Sequence, residues 1–234
     1  MNSPVIAFLP CRAGSERVPN KNTRIFHDFS CGLFENKINQ LIKTKLIDKI
    51  IISTDDEIII SYIENHLNDN KIIVHKRDLE LSSSLTSTDD LIAHAGSLVN
   101  SYYSDCHILW THVTSPFIEP HIYDAAINTF KSLKANEFDS LMSVTSIKSF
   151  LWDESGPINY KREDIKWPFT QSIKKLLEIN SGFFIAPLKT YLIQKDRIGY
   201  NPYFYELNKI VGFDIDWEED FQLAELYAKQ LLKN

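Results

Sequence analysis

Short runs rich in Ile, Val and Leu alternate along this chain with longer segments whose apolar positions recur every third and fourth residue. The runs fall at residues 5–9, 49–53, 71–75, 106–111 and 140–145. Each is brief and bounded by polar residues, which predicts a buried strand. The segments between them, 33–47, 56–66, 89–102 and 120–134, carry the spacing of amphipathic helices. Asp55 stands where it would cap the second helix and Thr88 where it would cap the third. After residue 146 the rhythm breaks. Residues 150–179 include Gly156-Pro157 and Trp167-Pro168 and read as hairpins and loops. Residues 182–186 and 210–215 read as strands, and 218–232 as a closing amphipathic helix. The pattern predicts an α/β fold with a mostly parallel sheet covered by helices on both faces. Residues 1–146 and 199–234 form the expected core, and 147–198 an insertion on it. A chain of 234 residues is long enough for one large domain of this kind.

Composition narrows the function classes. The formal net charge of −6 argues against general nucleic-acid or anionic-membrane binding, so affinity for a phosphorylated ligand must be built locally. No apolar run approaches the roughly 18 residues of a spanning helix, and no basic leader is evident at the N-terminus. Cys11, Cys31 and Cys106 are odd in number and widely spaced. They suit neither a disulfide framework nor a zinc site, and they lead to an expected cytoplasmic location.

Ligands of parallel sheets lie beyond the carboxyl ends of the strands. The first such end is the stretch Leu-Pro-Cys-Arg-Ala-Gly-Ser-Glu-Arg-Val-Pro-Asn-Lys-Asn, residues 9–22. It gathers Arg12, Arg17 and Lys21 around a small turn at Ala13-Gly14-Ser15. Gly14 and Ser15 let main-chain N–H groups approach a phosphate, and Lys21 supplies a point charge. This suits a nucleoside triphosphate; a solvated basic loop is the plainer alternative. The stretch lacks the Gly-Lys-Ser/Thr ending of a P-loop and the Gly-x-Gly-x-x-Gly of a dinucleotide site. Asp214 and Asp216 are the best metal-ligand pair. A continuing strand would place both carboxylates on one face, as suits Mg²⁺. N-capping of the last helix by Asp216 is the competing reading.

These residues resemble the acylneuraminate cytidylyltransferase family, which includes CMP-sialic acid synthetases. The carriers are Arg12, Gly14, Ser15, Pro19, Lys21 and Asn22 in the loop, then Ile-Ile-Ile-Ser-Thr-Asp-Asp at 50–56. The segment from Arg77 through the Ser/Thr run 82–88, Thr114-Ser115-Pro116, and Asp214-Ile215-Asp216 follow in the family's order. The resemblance implies a Rossmann-like fold and transfer of CMP from CTP to the anomeric hydroxyl of a 2-keto-3-deoxy sugar acid, nonulosonic or octulosonic, with release of pyrophosphate. It implies that Arg12 and Lys21 are catalytic. Ala13, Gly14, Ser15, Asn22, Arg77 and Thr88 would complete the nucleotide site. Asp214 and Asp216 would hold Mg²⁺ or another divalent cation. It also implies a homodimer that uses the insertion, with CTP and a small keto sugar acid as partners, and neither nucleic acid nor membrane.

Two departures fall on the acceptor side. His112 stands where the family commonly has Gln, and no Arg precedes Asn180-Ser181-Gly182. His112, Ser115, Gln171 and Asn180 are the candidate acceptor contacts, with His112 as a contact, a base or a structural residue. Two other readings remain: a metal-dependent nucleotide-sugar glycosyltransferase, which also uses an Asp-x-Asp pair, and a non-catalytic nucleotide-binding relative.

Overall fold

The computed structural model describes residues 3–81 and 86–232. Five strands form where the apolar runs predict them: β1 (Val5–Cys11), β2 (Lys49–Thr54), β3 (Ile72–Lys76), β4 (His107–Thr111) and β5 (Ser140–Ile147). The helices between them are α1 (Gly32–Lys43), α2 (Glu57–His66), α3 (Thr88–Tyr102) and α4 (Pro120–Ser132). Two-residue strands β6 (Trp152–Asp153) and β7 (Gly156–Pro157) make a separate small hairpin. They are followed by β8 (Leu176–Pro187), β9 (Pro202–Leu207) and α5 (Glu218–Leu231). The main sheet has the order β3-β2-β1-β4-β8-β5-β9. Only β8 runs against its neighbours; the other pairings are parallel.

Alternation along the strands divides the core in two. Val5, Ala7 and Leu9 face a cluster with α1, α2, α4 and α5, whereas Ile6 and Phe8 face one with Ile92, Ala95 and Val99 of α3. The sheet is therefore covered on both faces, as the pattern predicts. Among the described residues no helix is long and apolar enough to cross a membrane.

Four local expectations are corrected. Residues 210–215 form no strand, because the side chain of Asn208 accepts hydrogen bonds from the N–H groups of Ile210 (3.0 Å) and Val211 (3.0 Å) and bends the chain into a turn. The strand on that side is instead β9, parallel to β5. Asp56 rather than Asp55 caps α2, its Oδ1 accepting from Ile58 N at 3.0 Å, and Ser87 rather than Thr88 caps α3, its Oγ accepting from Asp90 N at 3.0 Å. Finally, residues 147–198 are not one excursion. β8 lies inside the sheet between β4 and β5, and only 148–175 leave the core.

Candidate functional site

The carboxyl ends of β1, β2 and β4 meet in one region. The loop after β1 is held in shape by polar groups of its own and by a carboxylate that follows β2. Ala13 N–H donates to Asp55 Oδ1 at 3.0 Å, and Asn22 Nδ2 donates to Arg12 O at 3.0 Å. Gly14 adopts φ 69°, a left-handed conformation that favours glycine. Val18 is buried and pins the middle of the loop. The carboxylate expected to cap α2 thus fixes the start of the cationic loop.

The far end of the loop docks onto the segment before α5. Lys21 Nζ donates to Ile215 O at 2.7 Å, between the two candidate metal ligands. Arg17 pairs with Asp216 at 2.9 Å, and Arg24 grips Glu218 through both guanidinium nitrogens at 3.0 and 2.9 Å. Burial lowers the Lys21 pKa, while Asp216 and Asp214 act to raise it. Although 214–216 is not a strand, both carboxylates line one cleft of about 460 Å³. Asp216 is not the cap of α5. Asp220 Oδ2 accepts from the N–H groups of Asp216 (3.0 Å) and Trp217 (2.8 Å), which leaves the Asp216 carboxylate to Arg17.

Asp214 is the more telling of the pair. Its Oδ1 is buried without a hydrogen-bond partner. Burial raises its pKa; nearby Asp216 adds to the rise, and the Thr114 hydroxyl and Lys21 oppose it. A buried acceptor with nothing to accept from suits a cation. Among the described residues no group of three or more His, Cys, Asp or Glu could hold a metal. Two carboxylates suffice for an ion that keeps water and takes phosphate oxygens.

The remaining sequence candidates divide. Arg77 is buried at the end of β3, its Nε donating to Ser53 Oγ at 3.1 Å; burial lowers its pKa, with Asp55 and Arg12 among its charged neighbours. Thr88 is exposed at the start of α3. Part of the Ser/Thr run, residues 82–85, lies outside the described residues. Ser115 is buried, its carbonyl taken by Lys37. Asn180 forms the cleft wall, its Oδ1 accepting from Ser143 Oγ (2.6 Å) and its Nδ2 donating to Thr145 Oγ1 (2.9 Å). Gln171 is exposed on the excursion. Ser15 is half-buried in the loop. Cys11 is packed at the end of β1 with its thiol pKa raised by burial, so it is core and not a reactive thiol.

Sequence reasoning misses a brace beneath the site. Asn36 Nδ2 and Gln40 Nε2 donate to Pro116 O at 2.9 and 2.6 Å, and Lys37 Nζ donates to Ser115 O at 2.8 Å and Tyr123 Oη at 2.7 Å. Lys37 is fully buried, which lowers its pKa well below the usual lysine value. These side chains of α1 hold the turn whose Thr114 carbonyl accepts Ile215 N–H at 3.0 Å. The available signal is three polar residues at 36, 37 and 40 on the apolar face of a helix.

The chain is similar to known proteins over nearly its whole length. A family model described as "Cytidylyltransferase" matches residues 6–229. An N-acylneuraminate cytidylyltransferase of Escherichia coli O18:K1:H7 is 26% identical over 96% of the chain and 52% of that protein. One from Streptococcus agalactiae serotype Ia is 26% identical over 92% of the chain and 51% of that protein. The chain thus spans about half the length of these two relatives. A pseudaminic acid cytidylyltransferase of Campylobacter jejuni serotype O:23/36 is 24% identical over 96% of both chains. Among solved structures, a CMP:2-keto-3-deoxy-manno-octonic acid synthetase complexed with CTP shares the fold at TM-score 0.66, with 14% identity over 97% of this chain and 99% of the other.

Proposed function

The chain belongs to the cytidylyltransferase family, and on that premise we propose that it transfers CMP from CTP to the anomeric hydroxyl of a 2-keto-3-deoxy sugar acid, releasing pyrophosphate. The observation that carries this reading is the meeting of the cationic loop, through Lys21 and the Ile215 carbonyl, with a carboxylate whose Oδ1 is buried without a partner. Arg12 and Lys21 bind the triphosphate and oppose the charge that develops on the α-phosphoryl group and the leaving pyrophosphate. Gly14 and Ser15 bring main-chain N–H groups to the same oxygens. Asn22 acts by shaping the loop, since its amide is bonded to the Arg12 carbonyl. Arg77 and Thr88 flank the space for cytosine.

Asp214 and Asp216 would hold Mg²⁺ or another divalent cation. When bound, it neutralises phosphate charge and lowers the pKa of a coordinated hydroxyl. The acceptor enters the cleft walled by Asn180, where Lys209 is the lining cation. A carboxylate deprived of a charge-assisted partner binds poorly. The absent Arg before Asn180 and the presence of His112 therefore favour an acid other than N-acetylneuraminate. The excursion exposes Trp167 by 65% and Phe169 by 84%, which supports a homodimer that covers them.

The test is pyrophosphate release with CTP, Mg²⁺ and a panel of N-acetylneuraminate, pseudaminate and 2-keto-3-deoxy-octulosonate. No release with any acid would sink the activity. A preference for N-acetylneuraminate by about tenfold in kcat/KM, roughly 1.4 kcal/mol, would sink only the acceptor argument.

A further inference from the structure

His112 follows β4, two residues after Trp110, and both side chains lie on the same side of the chain. Trp110 Nε1 approaches His112 Nε2 at 2.9 Å. An indole nitrogen can only donate, so His112 Nε2 must carry a lone pair, and the ring proton of the neutral imidazole sits on Nδ1. Arg197 reinforces this. Its Nη1 lies 3.5 Å from the same Nε2, long for a hydrogen bond but close enough to repel a protonated ring. The guanidinium is held there by aromatic faces, 3.9 Å from the Phe184 ring centroid and 5.5 Å from that of Trp110.

We propose that His112 is a tautomer-locked hydrogen-bond donor, which offers Nδ1–H to an anionic oxygen of a substrate and does not act as a base. This rests on the transferase reading above and assigns the residue a fixed role within it. Nδ1 has no hydrogen-bond partner among the described residues, and the side chain is only half-buried. The charged groups acting on it are Arg197, Lys37 and Lys21, all cations, so the surrounding field favours an anion. Burial and these cations depress its pKa to about 3, which keeps the ring neutral at working pH. Glutamine is the conservative replacement for such a ring. A glutamine head carries one acceptor and one donor group; so does an Nδ1–H imidazole whose Nε2 is capped by tryptophan. The anionic oxygen belongs either to the carboxylate of the sugar acid or to a phosphoryl group of CTP.

The decisive measurement needs no turnover. Nitrogen-15 spectra of histidine-labelled whole protein, with His112 assigned by its loss in H112Q, are expected to show a neutral Nδ1–H ring that does not titrate from about pH 5.5 to 8.5. An Nε2–H tautomer, or a midpoint near the ordinary value of about 6.5, overturns the proposal. In steady-state kinetics H112Q should stay within about threefold of wild type and H112F should lose about tenfold in kcat/KM. A raised KM for the acid alone identifies the carboxylate, and one for CTP alone the phosphoryl oxygen. H112F with wild-type constants for both overturns the proposal, even if the spectra show the locked tautomer. Should no acid on the panel turn over, the transferase reading fails while the spectra still decide the tautomer.

Discussion

Asp214→Asn should make the protein more stable while abolishing transfer. In the absence of a cation, the Asp214 carboxylate is a cost to the fold: Oδ1 is buried without a partner, and burial raises its pKa. Leaving a buried acceptor unmatched costs about 1–3 kcal/mol. Asn keeps the shape and an oxygen for the Thr114 hydroxyl; its amide stays unmatched at the Oδ1 position but carries no charge, so relief of the buried charge should recover about 1 kcal/mol. For a domain of this size that is a rise of about 2–4 °C in Tm. The pH dependence fixes the sign. Between the unfolded value of about 3.9 and the raised folded value, the native state keeps a proton that the unfolded chain has lost. Stability from this group therefore falls as pH rises through that window. The penalty is complete above the folded value and absent below the unfolded one. The advantage of D214N should be greatest at neutral pH and should vanish as pH falls to about 4. Differential scanning calorimetry in EDTA, repeated with Mg²⁺, reads both effects: Mg²⁺ should raise the Tm of wild type and leave that of D214N unchanged. A D214N protein that melts below wild type in EDTA at neutral pH would show that the carboxylate is satisfied by the fold, and the reasoning would be wrong.

Lys21→Ala should lower kcat by roughly 10²–10³, as expected for removal of a charged donor to the transition state; a change confined to the KM of the acid would remove its phosphate role. Lys37→Met fills the same volume but leaves the Ser115 carbonyl unmatched, so thermal denaturation should show a loss of about 1–3 kcal/mol, and an unchanged Tm would mean that the brace is dispensable. CTP at about 100 times its dissociation constant should stabilise the protein by roughly 2.7 kcal/mol; equal Tm shifts with ATP, GTP and UTP would refute base selectivity. Replacing Trp167 and Phe169 together by Ser should shift the sedimentation coefficient towards that of a monomer, and no shift would refute the proposed dimer through the excursion.

β1, β2 and β4 are legible in the sequence because they are buried on both faces and read as unbroken apolar runs. β9 is not, since it starts with Pro202, lies at the sheet edge and leaves Phe204 45% exposed. The apolar run at 210–215 misleads in the opposite sense: Asn208 turns the chain, and Gly212 lies so close to Asn180 that a Cβ there would meet Nδ2 at 2.5 Å. The cationic loop and the Asp pair are legible because their residue types are unusual for their positions. Local cap chemistry is not: Asp55 and Asp56 are neighbours, and the loop recruits one and α2 the other. Lys37 and Arg197 escape notice because their roles depend on contacts with Ser115, Tyr123 and His112, far away in sequence.

The reversed direction of β8 has an evolutionary consequence. Residues 148–175 leave from Ile147 and return at Leu176, and these two residues are register partners at the ligand end of the sheet. The excursion is thus rooted beside Glu178, Ile179 and Asn180, which wall the cleft. Substitutions on the excursion would therefore also reshape the edge of that cleft. If the proposed dimer is built on the excursion, assembly and substrate choice are inherited as one trait, and lineages of this fold that change one should be found to have drifted in the other.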